Sequence, residues 1–262
     1  MSLTFVLLIG AGITLGLMFL LWLLQAKTSN AGWGDVGWAF SFAFTTGWYA
    51  WASGGDLHRR IAVSALAALW SARLGLYLLV RLFGDHEEDG RYRFYRSSWG
   101  SGIQAKFLAF FLAQGAFEFV FSLPFLVIAR NAAAFPHPLE FATVTLLVVA
   151  VTGEAIADAQ LRAWKRDPGN KGRTCRAGLW SVSRHPNYFF QWLSWVGWAC
   201  AASAAGGSAW LGWLAPAGML FLLLKVSGIP PTEAQSVRSR GDDYRKYQRE
   251  VSALFPWFPR KA

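Results

Sequence analysis

The sequence predicts an all-α, polytopic membrane protein with seven transmembrane helices, and three observations indicate this class. Of 262 residues, 54% are hydrophobic and 15% are charged, against roughly 25% charged residues in soluble domains. The 25 Lys and Arg residues outnumber the 15 Asp and Glu residues. These basic residues are grouped in short stretches between long apolar runs, as is typical of loops that flank a membrane. The composition excludes a disordered or purely nucleic-acid-binding protein.

Seven apolar runs are long enough to cross the hydrocarbon core, which takes about 17 to 25 helical residues. The first run has no basic n-region and no small-residue cleavage site, so we predict a retained span rather than a signal peptide. Gly10, Gly12 and Gly16 lie inside this run and are expected to permit close helix packing rather than to bind a dinucleotide. The predicted spans cover residues 3–24, 36–52, 61–83, 107–129, 141–161, 188–205 and 209–226.

The basic residues decide the predicted orientation. They concentrate in the connections after spans one, three and five and in the tail, whereas the alternate loops hold only Arg59, Arg60 and Arg130. By the positive-inside rule, we expect the N-terminus outside and the C-terminus in the cytoplasm. No repeat or linker divides the chain, so residues 1–262 are predicted to form one domain. Its polar, cytoplasmic half is assigned mainly to residues 73–96, 154–191 and 225–257.

Two stripes of polar residues lie within predicted spans three and five. An ionisable side chain inside a span costs roughly 2.5 to 3.5 kcal/mol on insertion scales, so its presence needs a reason. Members of each stripe recur every four residues and therefore share one helix face. The first stripe comprises Arg73, Tyr77 and Arg81, and the second comprises Glu154, Asp158 and Arg162, continued by Lys165 and Arg166.

These stripes have two interpretations. Their members either pair with one another or with lipid headgroups, which would only hold the bundle together, or they line a cavity that opens to the cytoplasm. Arg and Lys bind phosphates, and Asp or Glu accepts hydrogen bonds from hydroxyl and amide groups. Because both stripes lead to the side of the basic loops, we favour a cavity for a large anionic ligand such as a nucleotide.

The segment 183–188, Ser-Arg-His-Pro-Asn-Tyr, adds a helix start to this picture. Pro186 suits the first turn of a helix, so span six is predicted to begin there with its N–H groups towards the cytoplasm. Phosphate binds readily at such a terminus, here beside Arg184 and His185. Taken alone, His185 is more commonly a capping or headgroup-facing residue.

Metal binding is not predicted. The mixed charges at residues 85–93 are typical of a solvated loop, and His86 with adjacent carboxylates lacks the spacing of a metal site. Cys175 and Cys200 form no CxxC pair, which excludes a multi-thiolate zinc site and a disulfide framework.

Several motifs in the second part of the chain recur together in one known family. They are Gly178-Leu179-Trp180-Ser181-Val182-Ser183-Arg184-His185-Pro186-Asn187-Tyr188, Ser227-Gly228-Ile229-Pro230-Pro231-Thr232-Glu233, Asp243-Tyr244 with Tyr247, a closing Leu254-Phe255-Pro256, and the charged Glu88-Asp89-Gly90-Arg91-Tyr92. Together they resemble the steroid 5α-reductase family, especially its bacterial branch. The resemblance extends from about span three onward, while the opening third is similar only in hydropathy.

The resemblance implies a multi-pass reductase of the bacterial inner membrane that uses NADPH to saturate the carbon–carbon double bond of a conjugated enone, such as a 4-ene-3-oxo steroid. Its implied partners are this lipophilic substrate and membrane lipid, with no nucleic acid and no obligate protein partner. Its active site is expected to open to the cytoplasm. By position, it implies cofactor contacts at Tyr77, Arg91, Tyr92, Asp158, Lys165, Arg166, Arg173, Arg184, His185, Asn187, Glu233, Tyr244 and Tyr247.

Two positions depart from the family pattern. Gln191 stands where many relatives carry a glutamate, so a role that needs a negative charge is not expected there. Glu233 stands about where the animal enzymes have a histidine, and a carboxylate at this position can still hold an amide or hydroxyl of the cofactor.

The donor to the substrate carbonyl is assigned by resemblance to the first half of the chain. Hydride delivery to the β-carbon builds negative charge on the carbonyl oxygen, which a hydrogen-bond donor stabilises. Asp35 and Trp70 fall near the family's glutamate and tyrosine, and Tyr49 is a further candidate catalytic donor. Asp35 would have to stay protonated, which burial favours, and it equally suits the N-cap of span two.

Two other classes of function remain open. Membrane methyltransferases that act on isoprenylcysteine or phospholipid share an Arg-His-Pro-x-Tyr stretch and use S-adenosylmethionine. That methyl donor has no phosphates, so the many basic residues favour NADPH. A transporter or structural bundle should have polar residues reaching both faces of the membrane, whereas the external loops here are short and nearly uncharged.

Overall fold

The computed structural model describes residues 1–84 and 87–260, so His86 lies outside the described residues. Across the described residues the chain is 81% helical without strands, which confirms the all-α class. A π-helical turn, Leu222–Val226, follows the eighth helix. The helices are α1 (Leu3–Thr28), α2 (Gly32–Ala52), α3 (Leu57–Gly84), α4 (Gly90–Ser98), α5 (Ile103–Arg130), α6 (Pro138–Arg166), α7 (Pro186–Ala202), α8 (Trp210–Phe221), α9 (Ile229–Arg240) and α10 (Asp242–Glu250).

Five helical stretches within the described residues are long and apolar enough to cross a membrane: α1, α3, α5, α6 and the run Trp210–Arg240. They coincide with predicted spans one, three, four, five and seven, which confirms the multi-pass character. Predicted spans two and six correspond to α2 and α7, with 21 and 17 residues. Because α7 is short and α2 carries Asp35 among several glycines and hydroxyl residues, these two crossings remain predictions, as does the orientation of the termini.

The chain divides into two compact units. Unit 1 comprises Met1–His137 and Ala202–Leu214, and unit 2 comprises Pro138–Ala201 and Ala215–Ala262. The sequence contained no linker that marked this division, because the boundaries fall between and within helices rather than in a polar segment. The assignment of a single functional domain stays a prediction.

Small residues bring the helices of unit 1 close together. In this unit α1, α2, α3 and α5 pack against one another. A methyl group at Gly10 of α1 would lie 2.5 Å from the hydroxyl of Tyr49 on α2, and one at Gly37 of α2 would lie 1.9 Å from Leu21 on α1. The expected role of glycine in helix packing is therefore confirmed at Gly10, whereas the other two glycines predicted for it face open space.

The outer surface of unit 1 is apolar. Leu69, Val80 and Phe83 of α3 are 69%, 72% and 72% exposed. Large apolar side chains exposed in such numbers along one helix are unfavourable in water and favourable against lipid tails. This face of α3 is consistent with a helix that contacts the bilayer.

Unit 2 places its C-terminal tail against the start of α7. The hydroxyl of Ser183 donates to the backbone carbonyl of Leu254 (2.7 Å), and the backbone N–H of Arg184 donates to that of Ser252 (2.8 Å). Within the same unit, Thr143 of α6 donates to the backbone carbonyl of Gly197 on α7 (2.8 Å). The first two bonds fix the segment before α7 against the tail, and the third joins α6 to the body of α7.

A close turn sets the start of α9. After the π-helical turn, a side chain at Gly228 would come within 2.8 Å of the backbone of Leu223, so only glycine fits there. Pro230 and Pro231 occupy the first turn of α9, where their missing N–H groups need no partner. This geometry places Glu233 near the N-terminal end of α9.

Candidate functional site

A first polar cluster lies in unit 1 and comprises Asp35, Asp89, Arg91 and Tyr92; we call it the Asp35 cluster. Arg91 Nη2 donates to Asp35 Oδ2 (2.9 Å), and the hydroxyl of Tyr92 donates to Asp35 Oδ1 (2.6 Å). Arg91 Nε also donates to Asp89 Oδ1 (3.1 Å). The structure thus unites one predicted catalytic residue with two predicted cofactor contacts. Both oxygens of Asp35 act as acceptors, and its role as a donor stays a prediction.

The alternative of Asp35 as an N-cap is wrong. The N-cap of α2 is Ala31, without a side-chain cap, and Asp35 lies one turn inside the helix. The backbone N–H of Ala31 is instead bound by Glu88 Oε1 (2.7 Å), a residue 57 positions away. The backbone N–H at the start of α2 therefore has a hydrogen-bond acceptor from outside this helix, which no local sequence pattern predicted.

The prediction of a solvated loop is corrected by α4 for residues 90–93, whereas residues 85 and 86 lie outside the described residues. Asp89 caps this helix, because its Oδ1 accepts the backbone N–H of Arg91 (2.9 Å), and Tyr92 is only 2% exposed. The charged residue types indicated a solvated segment, but the tertiary pairing of Arg91 with Asp35 holds the start of α4 against α2. The stretch Glu88-Asp89-Gly90-Arg91-Tyr92 thus joins α4 to the beginning of α2.

The charges of the Asp35 cluster hold one another in fixed protonation states. The carboxylate of Asp35 raises the pKa of Arg91. Burial raises the pKa of Tyr92 well above 10.0, and Asp35 adds to that rise. Burial also acts to raise the pKa of Asp89, but the charge and hydrogen bonds of Arg91 outweigh it and hold the value below 3.8. At neutral pH the cluster therefore combines a guanidinium, an Asp89 carboxylate and a neutral phenol.

An open cleft of about 360 Å³ lies beside this cluster, lined in part by Asp35, Asp89, Arg81 and Leu78. Arg81 Nη2 forms an ion pair with Asp89 Oδ2 (2.7 Å). Glu87 also lines the cleft, so three acidic residues and one guanidinium group face it. A lining with more acidic than basic groups suits hydroxyl or amide groups of a ligand better than a bare phosphate.

The other predicted residues of unit 1 do not meet at one point. The hydroxyl of Tyr49 forms a hydrogen bond with Ser122 (2.9 Å), and the ring of Trp70 packs on Phe42 with centroids 5.7 Å apart. Asp35 and Tyr49 both lie on α2, and their separation along the helix axis is about 21 Å at 1.5 Å per residue. Tyr77 is half-buried on α3. A single carbonyl cannot be bound by Asp35 and Tyr49 together.

Sequence analysis missed Glu118. This residue of α5 is 0% exposed, and within the described residues neither carboxyl oxygen has a hydrogen-bond partner. The signal was present, because Glu118 is the one acidic residue in the apolar run 107–129, and an isolated acid in a span marks a functional candidate. It was overlooked because it belongs to no charged stripe.

A second polar cluster lies in unit 2 around Glu233; it comprises Arg184, His185, Glu233, Tyr244 and Gln248, and we call it the Glu233 cluster. Arg184 Nε donates to Glu233 Oε1 (2.6 Å), and Gln248 Nε2 donates to Oε2 (2.7 Å). His185 Nε2 lies 3.2 Å and the Tyr244 hydroxyl 3.5 Å from Oε1. Four of the predicted cofactor residues are thus brought together around one carboxylate.

His185 is held neutral within this cluster. Burial lowers its pKa below the ordinary 6.5, although hydrogen bonding to Glu233 opposes the shift. Its ring stacks on Tyr188 with centroids 5.2 Å apart. In the neutral ring, the Nε2–H tautomer is the one that donates to Glu233.

Acidification is therefore expected to weaken the fold. Between about pH 6.5 and the lower folded-state pKa, the unfolded chain binds a proton that folded His185 does not, so the free energy of unfolding falls as pH falls. Thermal unfolding in detergent between about pH 7.5 and 5.5 measures this dependence. His185→Asn should flatten it, whereas His58→Asn, at an exposed position, should keep the wild-type slope. An unchanged slope in His185→Asn would contradict the assignment.

A third polar group in unit 2 joins α6 to α7. Asn187 Nδ2 donates to Asp158 Oδ1 (3.2 Å), and Asp158 is 8% exposed. Gln191 lies one turn farther along α7, on the same helix face as Asn187. Its Oε1 is buried and has no hydrogen-bond partner among the described residues. The Oε1 of Gln191 is therefore a buried acceptor without a donor, beside the Asp158–Asn187 pair.

The remaining predicted residues are of two kinds. Tyr247 is 1% exposed, and its hydroxyl donates to the backbone carbonyls of Trp180 (2.5 Å) and Ser183 (3.1 Å), so it anchors the segment before α7. Lys165, Arg166 and Arg173 are exposed. Among the described residues, no group of three His, Cys, Asp or Glu side chains is placed to hold a metal ion.

Comparison with known families places this chain. Residues 21–251 match the family model described as Protein of unknown function (DUF1295). The chain belongs to the DUF1295 family. In this DUF1295 protein, the matched range contains the Asp35 cluster, the Glu233 cluster and the Asp158–Asn187 pair. A search of curated proteins and of solved structures finds no match. Since the family description names no activity, the function must be argued from the residues themselves.

Proposed function

We propose that this DUF1295 protein is an NADPH-dependent membrane reductase that saturates the carbon–carbon double bond of a 4-ene-3-oxo steroid or a similar lipophilic enone. We further propose that α2 and α7 complete seven spans in a bacterial inner membrane, with the N-terminus outside and the C-terminus in the cytoplasm. The motifs that resemble the steroid 5α-reductase family support this function.

The observation that carries the proposal is the buried Oε1 of Gln191, which has no hydrogen-bond partner among the described residues and belongs to the residue one helical turn after Asn187, the donor to Asp158. A buried acceptor without a partner costs roughly 1 to 3 kcal/mol, and a ligand donor removes that penalty. The nicotinamide nucleotide supplies suitable donors, namely a carboxamide and ribose hydroxyls. The carboxylate of Asp158 and the side-chain amides of Asn187 and Gln191 therefore fit this cofactor by their chemistry.

The phosphates are assigned to the exposed bases of unit 2. Lys165, Arg166 and Arg173 follow Asp158 in the chain and have the charge that phosphates require. Arg184 has a different role, because its Nε is bound to Glu233 and its Nη1 donates to the backbone carbonyls of Gln248 (2.9 Å) and Val251 (2.5 Å). We therefore assign Arg184 to positioning the start of α7.

The chemistry follows from these roles. When bound, NADPH supplies the hydride for the β-carbon of the enone. Asp158 and Asn187 orient the ligand through hydrogen bonds, and Glu233 holds Arg184 so that α7 keeps its place. A hydrogen-bond donor at the carbonyl oxygen stabilises the negative charge that develops there, and a proton from the medium then adds to the α-carbon to complete the saturation. The apolar surroundings of the spans exclude water from the reacting groups.

The test is a reduction assay on the purified protein in lipid nanodiscs. With NADPH and testosterone, a 4-ene-3-oxo steroid, we expect loss of the nicotinamide absorbance and a product heavier by a pair of hydrogen atoms. NADH, which lacks the 2′-phosphate, should be the poorer reductant if the exposed bases bind that group. Methyl transfer from S-adenosylmethionine to a phospholipid without NADPH oxidation would instead establish the methyltransferase alternative.

A further inference from the structure

The interior of unit 1 holds an unsatisfied carboxyl group. Glu118 lies in the middle of α5, a helix that packs against α1, α2 and α3. It is fully buried, and its two oxygens have no hydrogen-bond partner within the described residues. The hydroxyl of Ser41 on α2 lies beside this carboxyl group and is also within hydrogen-bond distance of the backbone carbonyl of Trp38 (3.0 Å).

Glu118 is part of a polar face that runs along α5. Gln114, Glu118 and Ser122 are spaced by four residues, so they share one side of the helix. The Oε1 of Gln114 is also buried without a partner among the described residues. Ser122 at the other end is satisfied, because its hydroxyl bonds to that of Tyr49 (2.9 Å) and to the backbone carbonyl of Phe119 (2.7 Å). The unsatisfied part of the face is therefore centred on Glu118.

The surroundings decide the protonation state of this group. An ionised carboxylate in an apolar interior is strongly unfavourable unless a cation or several donors stabilise it. One neighbouring hydroxyl is neither a cation nor a set of several donors. Glu118 therefore keeps its proton and presents one O–H donor together with one carbonyl acceptor.

We propose that Glu118, in its neutral form, donates a hydrogen bond to the carbonyl oxygen of a lipophilic ketone bound inside unit 1. Its service as the catalytic donor for enone reduction rests on the proposed function; the binding of the ketone does not. The group keeps its proton and acts by stabilising the negative charge on the oxygen. Asp35 is a poorer donor, because both of its oxygens already accept from Arg91 and Tyr92.

Infrared difference spectroscopy tests the contact without turnover. The experiment uses nanodiscs without NADPH and testosterone labelled with ¹³C at its ketone, so that the steroid's own carbonyl band can be told apart. Binding of this steroid should shift the C=O stretching band of a protonated carboxyl group of the protein to lower frequency. The shift should be absent in Glu118→Gln and absent with a steroid that lacks the 3-oxo group. The proposal would be overturned if the carboxyl band of the wild type did not shift when the ketone binds, or if the shift persisted in Glu118→Gln.

Variant kinetics separate catalysis from structure. Glu118→Met removes the donor at similar volume, and removing such a donor is expected to lower kcat by at least about 100-fold. The melting temperature should stay equal or rise, because an unsatisfied polar group is lost. Glu118→Gln keeps an N–H donor and should recover part of kcat. Phe117→Leu is the control, since this neighbouring side chain is 41% exposed on another face of α5 and should retain wild-type kcat.

The outcomes distinguish the two proposals. An infrared shift without any NADPH oxidation by the wild type would contradict the reductase function and still support the ketone site. Enone reduction with no infrared shift, or with wild-type kcat in Glu118→Met, would contradict the Glu118 assignment and still support the reductase function. Loss of activity that follows a parallel loss of melting temperature in both Glu118 variants would show a structural role and overturn the assignment.

Discussion

Replacing Asn187 with alanine is expected to lower enone reduction strongly at limiting NADPH by weakening cofactor binding, while the fold is retained. Asn187 is only partly buried, and it links Asp158 to the first turn of α7 through a 3.2 Å hydrogen bond. A hydrogen bond to a charged group contributes about 1.5 to 3 kcal/mol, which corresponds to a Kd for NADPH raised by at least about tenfold. Asp158→Ala should produce the same phenotype, because it removes the other half of the pair.

Nicotinamide fluorescence on titration with NADPH measures this affinity, and thermal unfolding reports the fold. Asn131→Ala is a matched control in unit 1, where the side chain donates to the backbone carbonyl of Ala204 (3.1 Å). This variant should bind NADPH with wild-type affinity. Normal cofactor affinity in both Asp158→Ala and Asn187→Ala would refute the assignment of this pair to the cofactor.

Replacing Glu233 with alanine is expected to destabilise the protein more than any other single change considered. Glu233 and Arg184 are 13% and 11% exposed, and Glu233 also accepts from Gln248 (2.7 Å). Removing one partner of a buried ion pair costs about 3 to 5 kcal/mol, because the other charge is left uncompensated. Arg184 keeps its two backbone carbonyl acceptors, so we expect the lower end of this range.

Denaturant unfolding in detergent micelles gives the free-energy difference. Glu233→Gln should lie between alanine and wild type, since the amide oxygen still accepts one hydrogen bond. Asp242→Ala provides the contrast, because Asp242 is 93% exposed in its ion pair with Arg245, and such surface pairs contribute about 0.2 to 1 kcal/mol. A Glu233→Ala protein as stable as Asp242→Ala would mean that the Glu233 cluster does not hold unit 2 together.

Agreement between sequence-based prediction and structure is better for the long apolar helices than for the polar segments and the site residues. Hydropathy located α1, α3, α5 and α6 within a few residues of their observed ends, because an apolar run of this length has few alternatives to a helix. It failed for α4, a nine-residue helix that carries three arginines. There the burial of Tyr92 depends on Asp35, and a pattern confined to residues 85–93 does not contain that partner.

The predicted site residues show the same division. Proximity of Arg184 and His185 to the start of α7 followed from Pro186 alone, since proline suits the first helical turn. Their shared partner, Glu233, lies 49 positions from Arg184 and 48 from His185, and only packing reveals that one carboxylate binds both. Asp35 and Tyr49 were separate candidates for the carbonyl donor, and both lie on α2. Their separation of about 21 Å along the helix axis means that one carbonyl can be bound by only one of them.

By itself, the sequence determined that this chain is a helical membrane protein, because apolar runs in lipid must satisfy their own backbone hydrogen bonds and the α-helix does so locally. Tertiary structure alone decided which polar side chains are paired and which are not. Arg91 meets Asp35 across 56 positions, whereas Glu118 meets no hydrogen-bond partner among the described residues. The reason is physical: helix periodicity fixes the face on which a side chain lies, and the packing of other helices fixes what that face encounters.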